Sequence, residues 1–115
     1  MAQIDGIFHQ YRSAAREQVR LPLAVQAYFS GEATPEQNRE LEGYLRRRVR
    51  SLVELLLQED DLPKLERLAA ALWLNPGLVE DALDMAVRLK KTEAYVWLLK
   101  WKAENYGFTD RDFTL

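Results

Sequence analysis

The chain has no cysteine and only one histidine among its 115 residues. The first absence excludes disulfides, thiolate metal sites and thiol nucleophiles together. The second leaves His9 as the sole imidazole. No nearby motif assigns it an orienting partner, and no H-x-x-x-H or D-x-D spacing surrounds it, so it reads as a partly exposed helical histidine. Serine occurs only at Ser13, Ser30 and Ser51, never in a nucleophile elbow, and the five glycines do not gather into a phosphate-cradling loop. No run approaches the roughly 18 apolar residues of a membrane span. The opening MAQIDGIFHQYR carries an early acidic residue and no continuous apolar stretch, unlike a secretory signal. With 16 basic and 18 acidic side chains, the net charge of -2 gives no general attraction for nucleic acid or anionic lipid. What remains is the expectation of a cytoplasmic, non-enzymatic protein without cofactor, metal or membrane attachment.

What is present is helix. A composition of 48% hydrophobic and 30% charged residues suits a folded globular chain, and the length suits one domain spanning residues 1–115. Ile4, Ile7, Phe8, Tyr11, Ala14 and Ala15 keep helical spacing and predict a first helix from about Gln3 to Val19. Pro22 suits the first turn of a short second helix that Gly31 ends. Thr34-Pro35-Glu36-Gln37 combines an N-cap hydroxyl, proline at the first helical position and a glutamine that reaches back as capping-box partner. A long helix to about Gln58 follows, with Leu41, Leu45, Val49, Leu52, Val53 and Leu56 as its buried stripe. Gly43 inside it costs about 1 kcal/mol relative to alanine, for which close packing is one reason. Asp60 or Asp61 caps the next helix, Asn75-Pro76 starts another, Thr92 caps the last and Gly107 closes it in a left-handed conformation. The tail from 108 to 115 reads as loop or a single turn, with Phe108 and Phe113 available to tuck back. Every connection is short, so sequential helices are expected to be antiparallel neighbours.

The stretch LDMAVRLKKTEAYVWLLKWKA, from Leu83 to Ala103, resembles the helix pair of an ankyrin unit. Leucine and alanine populate a first helix, a tight turn follows, and a glutamate leads into paired leucines. Leu83 and Ala86 stand where the first helix of such a unit packs, and Leu98 and Leu99 where the second does. LVELLLQEDDLPKLERLAA superimposes on it at a spacing of about 30 residues, near the ankyrin period. The departures are plain: neither unit opens with threonine-proline-leucine-histidine, lysines occupy the turn, and Asn75-Pro76-Gly77 leaves little room for a hairpin finger. The resemblance implies a binding scaffold rather than a catalyst. Two hairpins cannot bury their apolar faces alone, so the N-terminal helices, with Phe8, Tyr11, Tyr28 and Phe29, are expected to complete the core.

Three groups of residues are candidates for contact with a partner. Trp97 and Trp101 lie one helical turn apart beside a narrow polar stripe of Glu93, Lys100 and Glu104, with Ala94, Tyr95, Leu98, Leu99 and Tyr106 further inside. They read either as core or core margin, or as a protein or dimer contact, in which tryptophan is enriched; in the ankyrin-like register Trp97 takes a core position. Trp73 is open to both readings. Glu80, Asp81, Asp84 and Arg88 form a polar face on their helix, either a solvated face with an Asp84–Arg88 pair or the lining of a groove. Arg46, Arg47 and Arg50 share the face opposite the leucine stripe, with Arg48 flanking that stripe and Glu42 and Glu54 four residues away. That face reads as solvated, as a contact for an acidic protein, or as a nucleic-acid contact.

The expectation is therefore an all-α fold of five or six helices. Residues 1–58 are N-terminal helices completing the core, 59–107 are stacked antiparallel hairpins with helical-repeat packing, and 108–115 are a tail. The function expected is protein–protein interaction, with Trp97, Trp101, Glu80, Asp81, Asp84 and Arg88 toward a protein partner or a second copy in a homodimer. The alternative is a nucleic-acid-associated regulator acting through Arg46, Arg47 and Arg50.

Overall fold

The computed structural model describes residues 3–107, so the tail with Phe108 and Phe113 lies outside the described residues. Within them the chain is all-α: α1 (Gln3–Ser13), α2 (Glu17–Phe29), α3 (Pro35–Arg46), α4 (Val49–Gln58), α5 (Leu62–Ala70), α6 (Pro76–Arg88) and α7 (Thr92–Asn105). Among the described residues there are seven helices in place of the five or six expected, because the predicted helix over 34–58 is broken into α3 and α4, while the boundary between the first two helices moves earlier. Two compact units result, divided between Leu52 and Val53, within α4.

In the first unit the predicted helix over 3–19 stops at Ser13. There the hydroxyl donates to the carbonyls of His9 and Gln10, at 2.9 and 3.3 Å. Arg16 is extended, which starts α2 at Glu17 and lets it pack back on α1. Pro22 therefore sits inside α2 rather than in its first turn. Its ring removes a bond to the carbonyl of Gln18, a residue exposed to water that can satisfy it. Gly31, with φ of 76°, follows the end of α2 as expected. The capping box of α3 is present in full: Gln37 N–H donates to Thr34 Oγ1 at 3.1 Å and Thr34 N–H to Gln37 Oε1 at 2.9 Å.

The predicted helix over 34–58 breaks at Arg47 and Arg48. Arg48 N–H takes the short bond to the Leu45 carbonyl at 3.0 Å, and its own carbonyl then accepts from Leu52 to begin α4. The leucine stripe survives the break: Leu41, Leu45, Leu52, Val53 and Leu56 are buried, and only Val49 is half-buried. Close packing does not explain Gly43, since a Cβ there meets only Arg47 Nη1 at 3.7 Å, an ordinary contact.

The second unit repeats one turn three times. Asp60, Leu72 and Lys90 take left-handed φ values of 56°, 63° and 58°. Each closes a helix with the same pair of bonds, from Asp61 to Leu56, Trp73 to Leu68 and Lys91 to Ala86 in the wide ring, and from Asp60 to Leu57, Leu72 to Ala69 and Lys90 to Val87 in the narrow one. This is the Schellman termination, here built without glycine. Asp61 caps α5 by accepting from Lys64 N–H, and Asn75 caps α6 by accepting from Leu78 N–H at 2.8 Å. Thr92 differs from expectation: it is the first residue of α7, and Lys91 holds the cap position without a side-chain bond. Lys91 instead pairs with Asp60 at 3.0 Å, tying the α6–α7 turn to the α4–α5 turn, and Arg88 reaches Glu54 at 3.6 Å. Leu83 and Leu98 are both buried, and α6 and α7 pack together.

Candidate interaction surface

Helix α7 has a small inner stripe. Leu98 and Lys102 are its fully buried residues, while Ala94, Tyr95 and Leu99 are half-buried. Lys102, 3% exposed, is the buried charged residue among those described, and it is neutralised by an ion pair with Glu80 of α6. A lysine in the middle of an apolar-looking helix would ordinarily be placed outside. The acidic residue one helix earlier makes burial tolerable, because it supplies the countercharge that the interior lacks.

With Lys102 turned inward, the tryptophans lie on the flank of the helix. Trp97 and Trp101 are both half-buried, so Trp97 is not the core residue that the ankyrin-like register requires. Their rings stack at 6.4 Å with an interplanar angle of 18°. Tyr106, expected inside, is 43% exposed and meets Trp101 edge-on at 5.4 Å. Its hydroxyl donates to the Leu74 carbonyl at 2.7 Å, which fixes the end of this aromatic ladder. Beside it Val96 is 58% exposed, and Glu93, Lys100 and Glu104 are exposed. Trp73, by contrast, is only 6% exposed and belongs to the core.

The other candidate groups are less coherent. On α6, Glu80 is engaged with Lys102, Asp81 is half-buried, and Asp84 and Arg88 are exposed. The arginines no longer share one helical face, because the break separates Arg46 at the end of α3 from Arg50 at the start of α4. Arg46, Arg47 and Arg50 are exposed, and Arg46 is paired with Glu42 at 2.9 Å as the four-residue spacing predicts. Glu54, four residues after Arg50, pairs with Arg88 at 3.6 Å.

Arg48 is half-buried. It stacks over the Tyr44 ring at 4.0 Å and pairs with Glu17 at 2.7 Å. This belongs to a tyrosine–arginine cluster in the first unit that sequence reasoning missed. Tyr11 and Tyr44 meet edge-to-face at 5.3 Å, and the Arg20 guanidinium lies over both rings, at 4.8 and 5.2 Å. Arg20 Nε is buried without a hydrogen-bond partner, a cost that the two ring faces partly offset. Nearby, Arg12 clasps Glu40 with two bonds at 2.7 and 3.2 Å, which holds that carboxyl below its ordinary range.

Tyr44 donates its phenolic hydrogen to Glu17. Burial first, and then this carboxylate, push the Tyr44 phenol well above its ordinary value, and burial raises Tyr11 as well. The folded state thus holds these protons more tightly than the unfolded chain. Their contribution to stability is intact below the ordinary phenol value of 10.0 and is lost as pH climbs beyond it. Tyr44→Phe should therefore flatten the alkaline fall in stability, leaving the part due to Tyr11. Urea melts from about pH 9 to about pH 11 read this directly, and an unchanged slope would show that Tyr44 ionises freely.

A cavity of about 40 Å³ in the second unit is floored by Leu56, Leu57, Leu62 and Leu65 and rimmed by Asp60, Asp61 and Glu93. It is far below the roughly 300 Å³ at which small-molecule sites begin. Among the described residues no group of three or more histidine, aspartate or glutamate side chains is placed to hold a metal ion, and no helix is long and apolar enough to cross a membrane. No protein-family model matches the chain, nor does any curated protein or solved structure.

Proposed function

We propose that this chain is a non-catalytic protein-interaction module whose contact surface is the outer face of α7. One observation carries the reading: the stacked, half-exposed Trp97–Trp101 pair, continued by Tyr106 and fixed through its bond to Leu74. Tryptophan and tyrosine dominate binding hot spots, and rings already held in place lose little entropy when a partner covers them. The flanking Lys100 and Glu104 would set orientation more than affinity. A scaffold of repeated helical hairpins agrees with the matching Schellman turns at Asp60 and Lys90, each followed two residues later by the start of a helix. A second reading, nucleic-acid contact through Arg46, Arg47 and Arg50, is favoured by the exposure of all three and predicts binding that falls steeply with added salt.

The test is Trp101→Ala, with the tagged chain as bait in a cell extract and its association followed by sedimentation. Truncation is expected to abolish association while lowering stability by about 1–3 kcal/mol, the scale of the two ring contacts that Trp101 makes with Trp97 and Tyr106. Association that persists unchanged in the variant would remove α7 as the contact surface.

A further inference from the structure

We propose that the outer face of α7 pairs with the same face of a second copy of this chain, the two helices running antiparallel about a two-fold axis beside Val96 and Trp97. The proposal rests on α7 being a contact surface and names what occupies it. Glu93, Val96, Trp97 and Lys100 follow the i, i+3, i+4, i+7 spacing that places residues on one side of a helix. Glu93 and Lys100 are both exposed and lie at equal distances, about 5 Å along the axis, on either side of the midpoint between Val96 and Trp97. A two-fold axis through that midpoint brings each Glu93 level with Lys100 of the other copy, so one helix supplies both halves of two ion pairs. On one flank the exposed Val96 meets its own counterpart, and on the other Trp97 meets Trp97.

The order of charges selects this orientation. Parallel pairing sets Glu93 against Glu93 and Lys100 against Lys100, which is repulsive, whereas the antiparallel pair is attractive at both ends. Self-complementarity of this kind is what a two-fold interface between identical chains requires. Glu104, the remaining exposed charge of the stripe, falls level with position 89 of the second copy, before α7 begins, and so opposes no charge on that helix. A contact made by two 14-residue helices is small, so the dimer is expected to be weak and reversible.

Sedimentation equilibrium of the full chain at low salt tests this with four proteins: wild type, E93K, K100E and the double reversal E93K/K100E. Circular dichroism confirms that each is folded, with Glu93→Gln and Lys100→Gln as neutral substitutes for any reversal that is not. The wild type should dimerise reversibly. Each single reversal should weaken dimerisation by about tenfold or more, and the double reversal should restore it to within about threefold of wild type. A wild type that stays monomeric, single reversals without effect, or a double reversal that fails to restore pairing would each overturn the proposal. A monomeric wild type that still captures a protein through Trp101 would overturn the second copy and leave the contact surface standing. Self-association indifferent both to the charges and to Trp101→Ala would overturn the two together.

Discussion

Leu98→Ala is expected to destabilise the protein by about 2–5 kcal/mol, the range for removing a fully buried leucine side chain. Leu98 has no exposed surface, and with Lys102 it makes up the fully buried part of α7. Most globular helices spread their attachment over a broader apolar face. Here Trp97, Leu99 and Trp101 are only half-buried and compensate little when the central leucine is shortened. Urea denaturation should show a lower midpoint with an unchanged slope. An unaltered midpoint would mean that α7 is not held to its unit through Leu98.

Removing the Lys102 charge should be nearly as damaging. Breaking a buried ion pair from one side costs about 3–5 kcal/mol when both partners are enclosed. The Glu80 side chain is 27% exposed, so water softens the loss, and Lys102→Ala should fall toward the lower end of that range. Lys102→Met retains the packed stem and should cost less. Combining it with Glu80→Gln should recover much of the difference, since the paired removal leaves no lone buried charge. A double-mutant cycle measures this. A Lys102→Ala variant as stable as wild type would contradict a buried pair.

The contrast between these two residues shows what could be read from sequence. Leu98 follows from the sequence because it lies opposite the polar stripe of Glu93, Lys100 and Glu104. So do the caps at Thr34, Asp61 and Asn75 and the glycines at Gly31 and Gly107, because each rests on a hydrogen bond or a dihedral angle within a few residues. The breaks after Ser13 and at Arg47–Arg48 carry no proline or glycine. Their cause is tertiary: α2 folds back on α1, and Arg48 is drawn to Tyr44 and to Glu17, 31 residues earlier. Lys102 was illegible for the same reason, since its countercharge stands on α6.

The exposure of Trp97 was hidden by α7 itself, where apolar side chains occur nearly all round the helix and periodicity does not single out an inner face. The inward turn of Lys102 determines which flank the tryptophans occupy. The Tyr11–Arg20–Tyr44–Arg48 cluster likewise joins three helices and a turn, and only the scattered aromatics hinted at it.

Helix α7 is held from within by Leu98 and Lys102 and leaves Trp97 and Trp101 half-exposed on its flank. Iodide quenching of tryptophan fluorescence in a Trp73→Phe variant, which leaves Trp97 and Trp101 as the emitters, tests this most directly. In dilute solution both indoles should be substantially quenched, with shielding of Trp97 returning as concentration is raised and the faces pair. Emission that is blue-shifted and protected from iodide at every concentration would place the tryptophans in the core and contradict the surface.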